Sequence, residues 1–198
     1  MIRAFIAVEL GAELRAALAE AQASLKAKLN TRLQWVRPES LHVTLKFLGH
    51  VGEDRIPDLE RAMTLVAGAH SGFSLEVGGL GVFPDSRQPR ILWVGMSGSV
   101  QRLVELAGEL DLRLEGMGFS RETKPFRVHL TLARIKEQAR EIGKVLTAAG
   151  LSSQAGQPGQ VAKVGTLEVS ALSLMKSDLK PTGAVYTRLA EIQLASPA

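Results

Sequence analysis

The sequence predicts an α+β fold with largely antiparallel sheets. Three observations carry that expectation. Segments of period-two alternation lie beside segments of helical spacing, and several of the former are joined by connections of hairpin length. A five-residue pattern (apolar, His, apolar, Thr, Leu) also occurs twice, as "LHVTL" at 41–45 and "VHLTL" at 128–132. The two copies stand at comparable positions in the two halves and hint at two similar lobes. Identity outside the pattern is too low to establish a repeat.

Taken in order, residues 2–8 (IRAFIAV) read as a strand. Residues 11–29 place Leu14, Leu18, Leu25 and Leu29 on one helical face. "LQWVRP" is a short extended piece ended by Pro38, and "LHVTLKFLG" is a strand closed by Gly49. A helix is expected over about 57–67, with Pro57 in its first turn. "FSLEVGGLGVFP" and "RILWVGM" read as strands, the first broken by glycines that suggest a bulge or sharp bend. Leu103, Leu106, Leu110 and Leu114 predict a helix stopping at Gly116 and Gly118. The second pattern strand follows, then a short helix near 137–149 that ends at Gly150. "SSQAGQPGQ" at 152–160 reads as a surface loop. "VAKVGTLEVSALSLMKS" and "AVYTRLAEIQL" are expected as two closing strands, hairpinned through "DLKPTG".

A chain of 198 residues is of single-domain size, with 45% apolar residues to build a core. The absence of cysteine excludes disulfides and thiolate metal sites, and fits a reducing compartment. Lys and Arg exceed Asp and Glu by 24 to 20, a mild excess compatible with an anionic substrate. No apolar run reaches the roughly 18–20 residues of a membrane span. The start, "MIRAFIAVELG", is a short apolar stretch interrupted by Glu9, and reads as a first strand instead of a signal peptide.

Residues i and i+2 of a strand share a face. His42 and Thr44 therefore project together, as do His129 and Thr131, while Val43, Leu45, Leu130 and Leu132 turn to the core. A lone His-x-Thr is ordinarily a satisfied polar pair on a half-buried strand. Two copies among four histidines are another matter. At average composition a given His has roughly a 5% chance of Thr at i+2, so two hits are about a 1% event. Two imidazoles supply a base and an acid near neutral pH, and two hydroxyls can donate to anionic oxygens. That set suits cleavage of a phosphodiester by in-line displacement, with no metal or other cofactor required. His50 and His70 lack the pattern and are expected in surface roles.

The paired motif resembles the signature of the two-histidine phosphoesterase superfamily. The blocks "RAFIAVEL", "WVRPESLHVTLKFLG", "GVFPDSRQPRILWVG", "KPFRVHLTLAR" and "LSLMKSDLKPTGAVYTRL" resemble, more closely, the bacterial and archaeal RNA 2′,3′-cyclic phosphodiesterases, also called 2′-5′ RNA ligases. The resemblance implies a LigT-like, bilobal α+β domain over 1–198, with two antiparallel β-sheets and outer helices around a central groove. It implies hydrolysis of an RNA-terminal ribose 2′,3′-cyclic phosphate to a 2′-phosphate, with reverse 2′-5′ RNA ligation through the same site. By that assignment His42 is the proton donor and His129 the proton acceptor, an order the symmetric motif does not itself specify. Thr44, Thr131 and Arg134 would hold the phosphate. Val128 stands where relatives often carry Pro, a change a strand tolerates. The expected setting is a cytoplasmic monomer whose partners are RNA ends, with no metal and no membrane.

Arg134 lies five positions after His129, which in a regular strand puts it on the opposite face; reaching the groove needs a bulge, a strand end or its long side chain. Lys46 is expected on the His42 face and Phe47 in the core. Trp35, Arg37 and Tyr186 could serve a nucleotide pocket, with packing or surface roles favoured for each. "VGGLG" is followed by a strand and not a helix, no P-loop occurs, zinc-type His spacings are missing, and "GMSGS" does not fit a nucleophile elbow. The competing readings are a phosphodiesterase for a small cyclic nucleotide and a non-catalytic RNA-binding module.

Overall fold

Alternation along β1 (Ile2–Glu9) sends Ile2, Ala4, Ile6 and Val8 into the main core. Arg3, Phe5, Ala7 and Glu9 fall on the other face by the same alternation. This strand is central to the first of two sheets in a computed structural model that describes residues 1–29, 33–148, 163–181 and 183–196. The expected loop at 152–160 and the helix end at Gly150 lie outside the described residues.

The remaining elements are α1 (Ala12–Leu29), β2 (Gln34–Trp35), β3 (His42–Val51), α2 (Ile56–Ala69), β4 (Phe73–Phe83), β5 (Ile91–Gly98) and α3 (Val100–Glu115). After these come β6 (Leu130–Arg134), α4 (Ala139–Ala148), β7 (Gly165–Val169), β8 (Ala171–Lys180) and β9 (Gly183–Gln193). One sheet has the order β3-β1-β8-β9 and the other β2-β6-β5-β4-β7. All paired strands are antiparallel, as expected. Both sheets take strands from both halves of the sequence.

Helices cover the core faces. α2 packs on β8 and β9, α3 on α2 and β3, and α1 on β7 and α4. The leucines that predicted α3 are all fully buried. Each contributes roughly 1.5–3 kcal/mol of burial. One continuous cluster of buried apolar side chains runs from Ile2 to Leu194 through both sheets. The buried amide of Gln22 on α1 ties that layer to the second sheet, donating from Nε2 to the Val36 carbonyl at 2.9 Å and the Leu132 carbonyl at 3.1 Å.

Two expectations are corrected. The long closing strand is two strands in different sheets: β7 pairs with β4, and after a break at Ser170, β8 pairs with β1 and β9. Leu167 and Val169 are buried in the first piece and Leu172 and Leu174 in the second, so the alternation changes phase across the break, but that shift does not name the new partner. β3 does not close at Gly49 but runs on to Val51, with Gly49 at φ 71° beside a register shift. The bulge expected at the glycines of β4 is present: the strand runs from Phe73 to Phe83 with its register shifted where Gly79 takes φ 72°.

Candidate active site

The two motif strands share one irregularity. In β3, Ala7 pairs with Thr44 and Ile6 with Lys46, so Leu45 is an extra residue. In β6, Trp93 pairs with Thr131 and Leu92 with Ala133, so Leu132 is extra in the same way. Both leucines are buried in the main core. Each bulge sits directly after the motif threonine and exchanges the faces of the residues that follow it, in β3 up to a second extra residue at Leu48. The fifth residue after each histidine thereby returns to the histidine's face. In β6 that residue is Arg134; in β3 it is Phe47.

This removes the difficulty over Arg134, which pairs with Ile91 and shares a face with Trp93 and Thr131. It also corrects two expectations in β3. Lys46 turns away from His42 and is 2% exposed, its Nζ 2.5 Å from Asp111 Oδ1 on α3 and 2.5 Å from the Ser120 carbonyl. Phe47 is not in the core; it is 60% exposed and lies beside its cross-strand partner Phe5, with centroids 6.2 Å apart.

His42 opens β3, and His129 immediately precedes β6; both are half-buried. Each places Nδ1 on the carbonyl two residues upstream, His42 on Ser40 at 2.8 Å and His129 on Arg127 at 2.7 Å. A carbonyl only accepts, so Nδ1 carries the proton in both rings and leaves Nε2 for chemistry. β3 and β6 approach one another between the sheets, and Thr44 and Thr131 are half-buried on the faces of their histidines.

Aromatic rings fix each imidazole. His42 stacks on Phe5 at 4.8 Å and 29°, and meets Tyr186 edge-on at 5.0 Å. Tyr186 also packs on Phe5 at 5.1 Å, so it belongs to the site's wall. His129 meets Phe83 edge-on at 5.1 Å and Trp93 at 6.4 Å, while Phe83 and Trp93 stack at 5.0 Å. Gly81 makes room for the Trp93 ring: a Cβ there would fall 2.1 Å from it. Phe5, Phe83 and Trp93 were invisible as site residues, because their sequence signal is that of ordinary strand aromatics.

The electrostatics of the two histidines differ. Burial pushes both below the ordinary value of 6.5. The Ser40 carbonyl and the Glu9 carboxylate work against burial at His42. At His129 the Arg127 carbonyl works against burial, but the Arg127 guanidinium reinforces it. Glu9 is the cross-strand partner of His42. It lines a cavity of about 280 Å³ beside His42 that Arg15, Glu39, Tyr186 and Arg188 also line.

Other candidates are structural. Trp35 pairs with Ala133, packs on the core and carries Lys26 Nζ 5.3 Å from its ring centroid. Arg37 donates to the Ala184 carbonyl at 3.3 Å. His70 caps the end of α2 with Nε2 2.8 Å from Glu109, and His50 is exposed.

A two-sheet fold with one imidazole–threonine pair on each sheet defines the class: a phosphoesterase built around two histidines. The model of the LigT like Phosphoesterase family matches the chain twice, over 8–93 and 94–186. Among curated relatives, RNA 2′,3′-cyclic phosphodiesterase of Methanothermobacter thermautotrophicus is 33% identical, covering 98% of this chain and 99% of its own. The protein of that name from Thermus thermophilus is 33% identical over 98% and 90%. A crystal structure of a Thermus thermophilus protein superposes with a TM-score of 0.79 at 30% identity, all of both chains covered. E. coli LigT complexed with 3′-AMP gives 0.70 at 26% identity over 98% and 99%. The chain belongs to the LigT like Phosphoesterase family.

Proposed function

We propose that this chain is an RNA 2′,3′-cyclic phosphodiesterase, converting a terminal ribose 2′,3′-cyclic phosphate to a 2′-phosphate. The observation that carries the reading is the matched pair of imidazoles, each with Nδ1 pinned by a carbonyl and Nε2 left free, on strands that approach one another. Relatives of nearly the same length that bear that name support the substrate class.

In the proposed reaction water attacks phosphorus and gives its proton to His129 Nε2. The bond from phosphorus to the 3′ oxygen breaks, and that oxygen takes a proton from His42 Nε2. Product leaves with a 2′-phosphate and a 3′-hydroxyl, and solvent restores the two protonation states. The unequal surroundings of the histidines support this order. A carboxylate beside His42 favours its imidazolium, the form a donor needs; a guanidinium beside His129 favours the neutral base. Thr44 and Thr131 donate to the non-bridging oxygens, and Arg134, returned to the groove face by its bulge, pairs with the same phosphate.

An RNA 5′-hydroxyl taking the place of water would join two ends through a 2′-5′ linkage at the same site. Water at about 55 M favours hydrolysis unless the second RNA is held in place. The continuous core supports treating the chain as one bilobal unit; the reading takes it to act as a monomer in the cytoplasm. No described helix is long and apolar enough to cross a membrane.

The test is turnover of a short RNA bearing a 2′,3′-cyclic phosphate, with EDTA present, for the parent, His42→Ala and His129→Ala. Each variant is expected to lose roughly 10²–10⁴-fold in kcat, the range for removing a general acid or base. Full turnover in either variant would sink the mechanism. A parent inactive on this RNA but active on a cyclic mononucleotide would replace the substrate class.

A further inference from the structure

Arg127 is an exposed cation held beside His129, the proton acceptor of the proposed reaction. Its carbonyl accepts from His129 Nδ1 at 2.7 Å, and its guanidinium lies over Phe83, 5.4 Å from the ring centroid. The same ring meets the His129 imidazole edge-on at 5.1 Å and stacks on Trp93 at 5.0 Å. One fixed aromatic ring thus sets the guanidinium next to the imidazole. We propose that Arg127 binds the first phosphodiester of an incoming RNA strand whose 5′-hydroxyl replaces water as the nucleophile. The inference rests on the RNA-end reading above and adds to that site a place for the second RNA.

Exposed arginines are common on protein surfaces and call for no function by themselves. Arg127 is distinguished by how it is held and by what it lacks. Resting on the Phe83 ring confines a side chain that would otherwise sweep many rotamers. Among the described residues no carboxylate pairs with it, so its donors are open to an anion from outside. Its charge also reaches the imidazole, where it opposes protonation of His129. The guanidinium is therefore close enough to act on what His129 acts on.

The assigned chemistry says which part of a substrate comes to that place. Thr131 and Arg134, which follow His129 in the chain, hold the reacting phosphate; Arg127 precedes it. The nucleophile lies between phosphorus and His129 Nε2, on the side away from the ribose that His42 serves. Water carries nothing beyond that point. An RNA strand with a free 5′-hydroxyl carries a phosphodiester anion on the 3′ oxygen of its first nucleotide, and a guanidinium suits that anion. In the joining step the 5′ oxygen bonds to phosphorus and its proton passes to His129 Nε2. The bond from phosphorus to the 3′ oxygen breaks, and that oxygen takes the proton of His42 Nε2. Binding at Arg127 raises the effective concentration of the strand against bulk water, which joining requires.

The experiment supplies a cyclic-phosphate RNA with one of two nucleophiles, a nucleoside 3′-(methyl phosphate) or the uncharged 3′-O-methyl nucleoside. Joined product is measured against 2′-phosphate product in the parent, Arg127→Ala and Arg127→Lys. Hydrolysis in the same reaction is the internal reference, so a changed basicity of His129 acts on both products and cancels. The parent is expected to prefer the charged nucleophile about fivefold, the upper end for a solvent-exposed ion pair. Arg127→Ala should abolish that preference, Arg127→Lys should recover part of it, and added salt should erode it in the parent. Circular dichroism of each variant separates loss of binding from loss of fold. Equal use of the two nucleophiles by the parent, hydrolysis with no joined product from either, or a preference that survives Arg127→Ala overturns the proposal. A parent that leaves the cyclic phosphate intact would instead overturn the RNA-end reading, so the two failures are distinct.

Discussion

His42 lies almost flat against Phe5, with ring centroids 4.8 Å apart and planes at 29°. That contact keeps the imidazole in one plane, and the Ser40 carbonyl on Nδ1 prevents it from turning within that plane. It also withdraws the ring from water, and burial is the largest influence on its protonation. His129 reaches the same condition by edge contacts with Phe83 and Trp93. Each position has solved orientation and desolvation together, with different aromatic residues.

Stability should therefore depend on pH through both histidines. Their folded pKa values lie below the ordinary 6.5 of an unfolded histidine. Between the folded and unfolded values the unfolded chain binds more protons, so stability rises with pH there. The contribution is complete above 6.5 and is lost as pH falls through the folded values. Thermal melts from pH 7.5 down to 5 should show Tm falling, and a His42→Gln/His129→Gln double variant should show a flatter fall. Equal slopes in the two proteins would refute this.

Glu9 should matter to His42 and not to His129. Arg188 also approaches Glu9, with Nη1 3.5 Å from Oε2, and Arg15 and Glu39 line the same cavity. Removing the carboxylate in Glu9→Gln takes away the acidic group that favours the His42 imidazolium and leaves the guanidinium groups. NMR titration should then show His42 losing its proton at lower pH, with His129 unmoved. Activity above neutral pH should fall accordingly. Movement of both histidines together would mean a general disturbance of the site instead.

Lys46 should be a stability residue. Its charge is buried and rests on Asp111 and the Ser120 carbonyl, while the more exposed Glu122 is 3.9 Å away. Asp111→Ala leaves a buried ammonium without its nearest carboxylate, a change that costs about 3–5 kcal/mol. Denaturant unfolding should register that loss, with kcat on the cyclic-phosphate RNA little changed at a temperature where the variant stays folded. If Asp111→Ala lost activity without losing stability, Lys46 would have to act in the groove after all.

The sequence by itself determined the parts that depend on short-range periodicity. The leucine spacing of α1 and α3, the strand character of β1 and β3, and the shared face of His42 with Thr44 and of His129 with Thr131 all follow from which residues lie three, four or two apart. The chemistry of the site was legible for the same reason, since both imidazoles and both hydroxyls lie inside the two copies of the motif. Everything past the motif threonines was decided by tertiary structure. A strand's faces alternate at period two, so one extra residue exchanges them, and an extra residue is defined only against a partner strand. For β3 that partner is β1, and for β6 it is β5, each some forty residues away in the chain. Lys46 went into the core side, Phe47 came out to the groove and Arg134 returned to the face of His129 because those pairings absorbed Leu45 and Leu132. The split between β7 and β8 has the same origin: each segment alternates at period two, and only the partner strands show that they belong to different sheets.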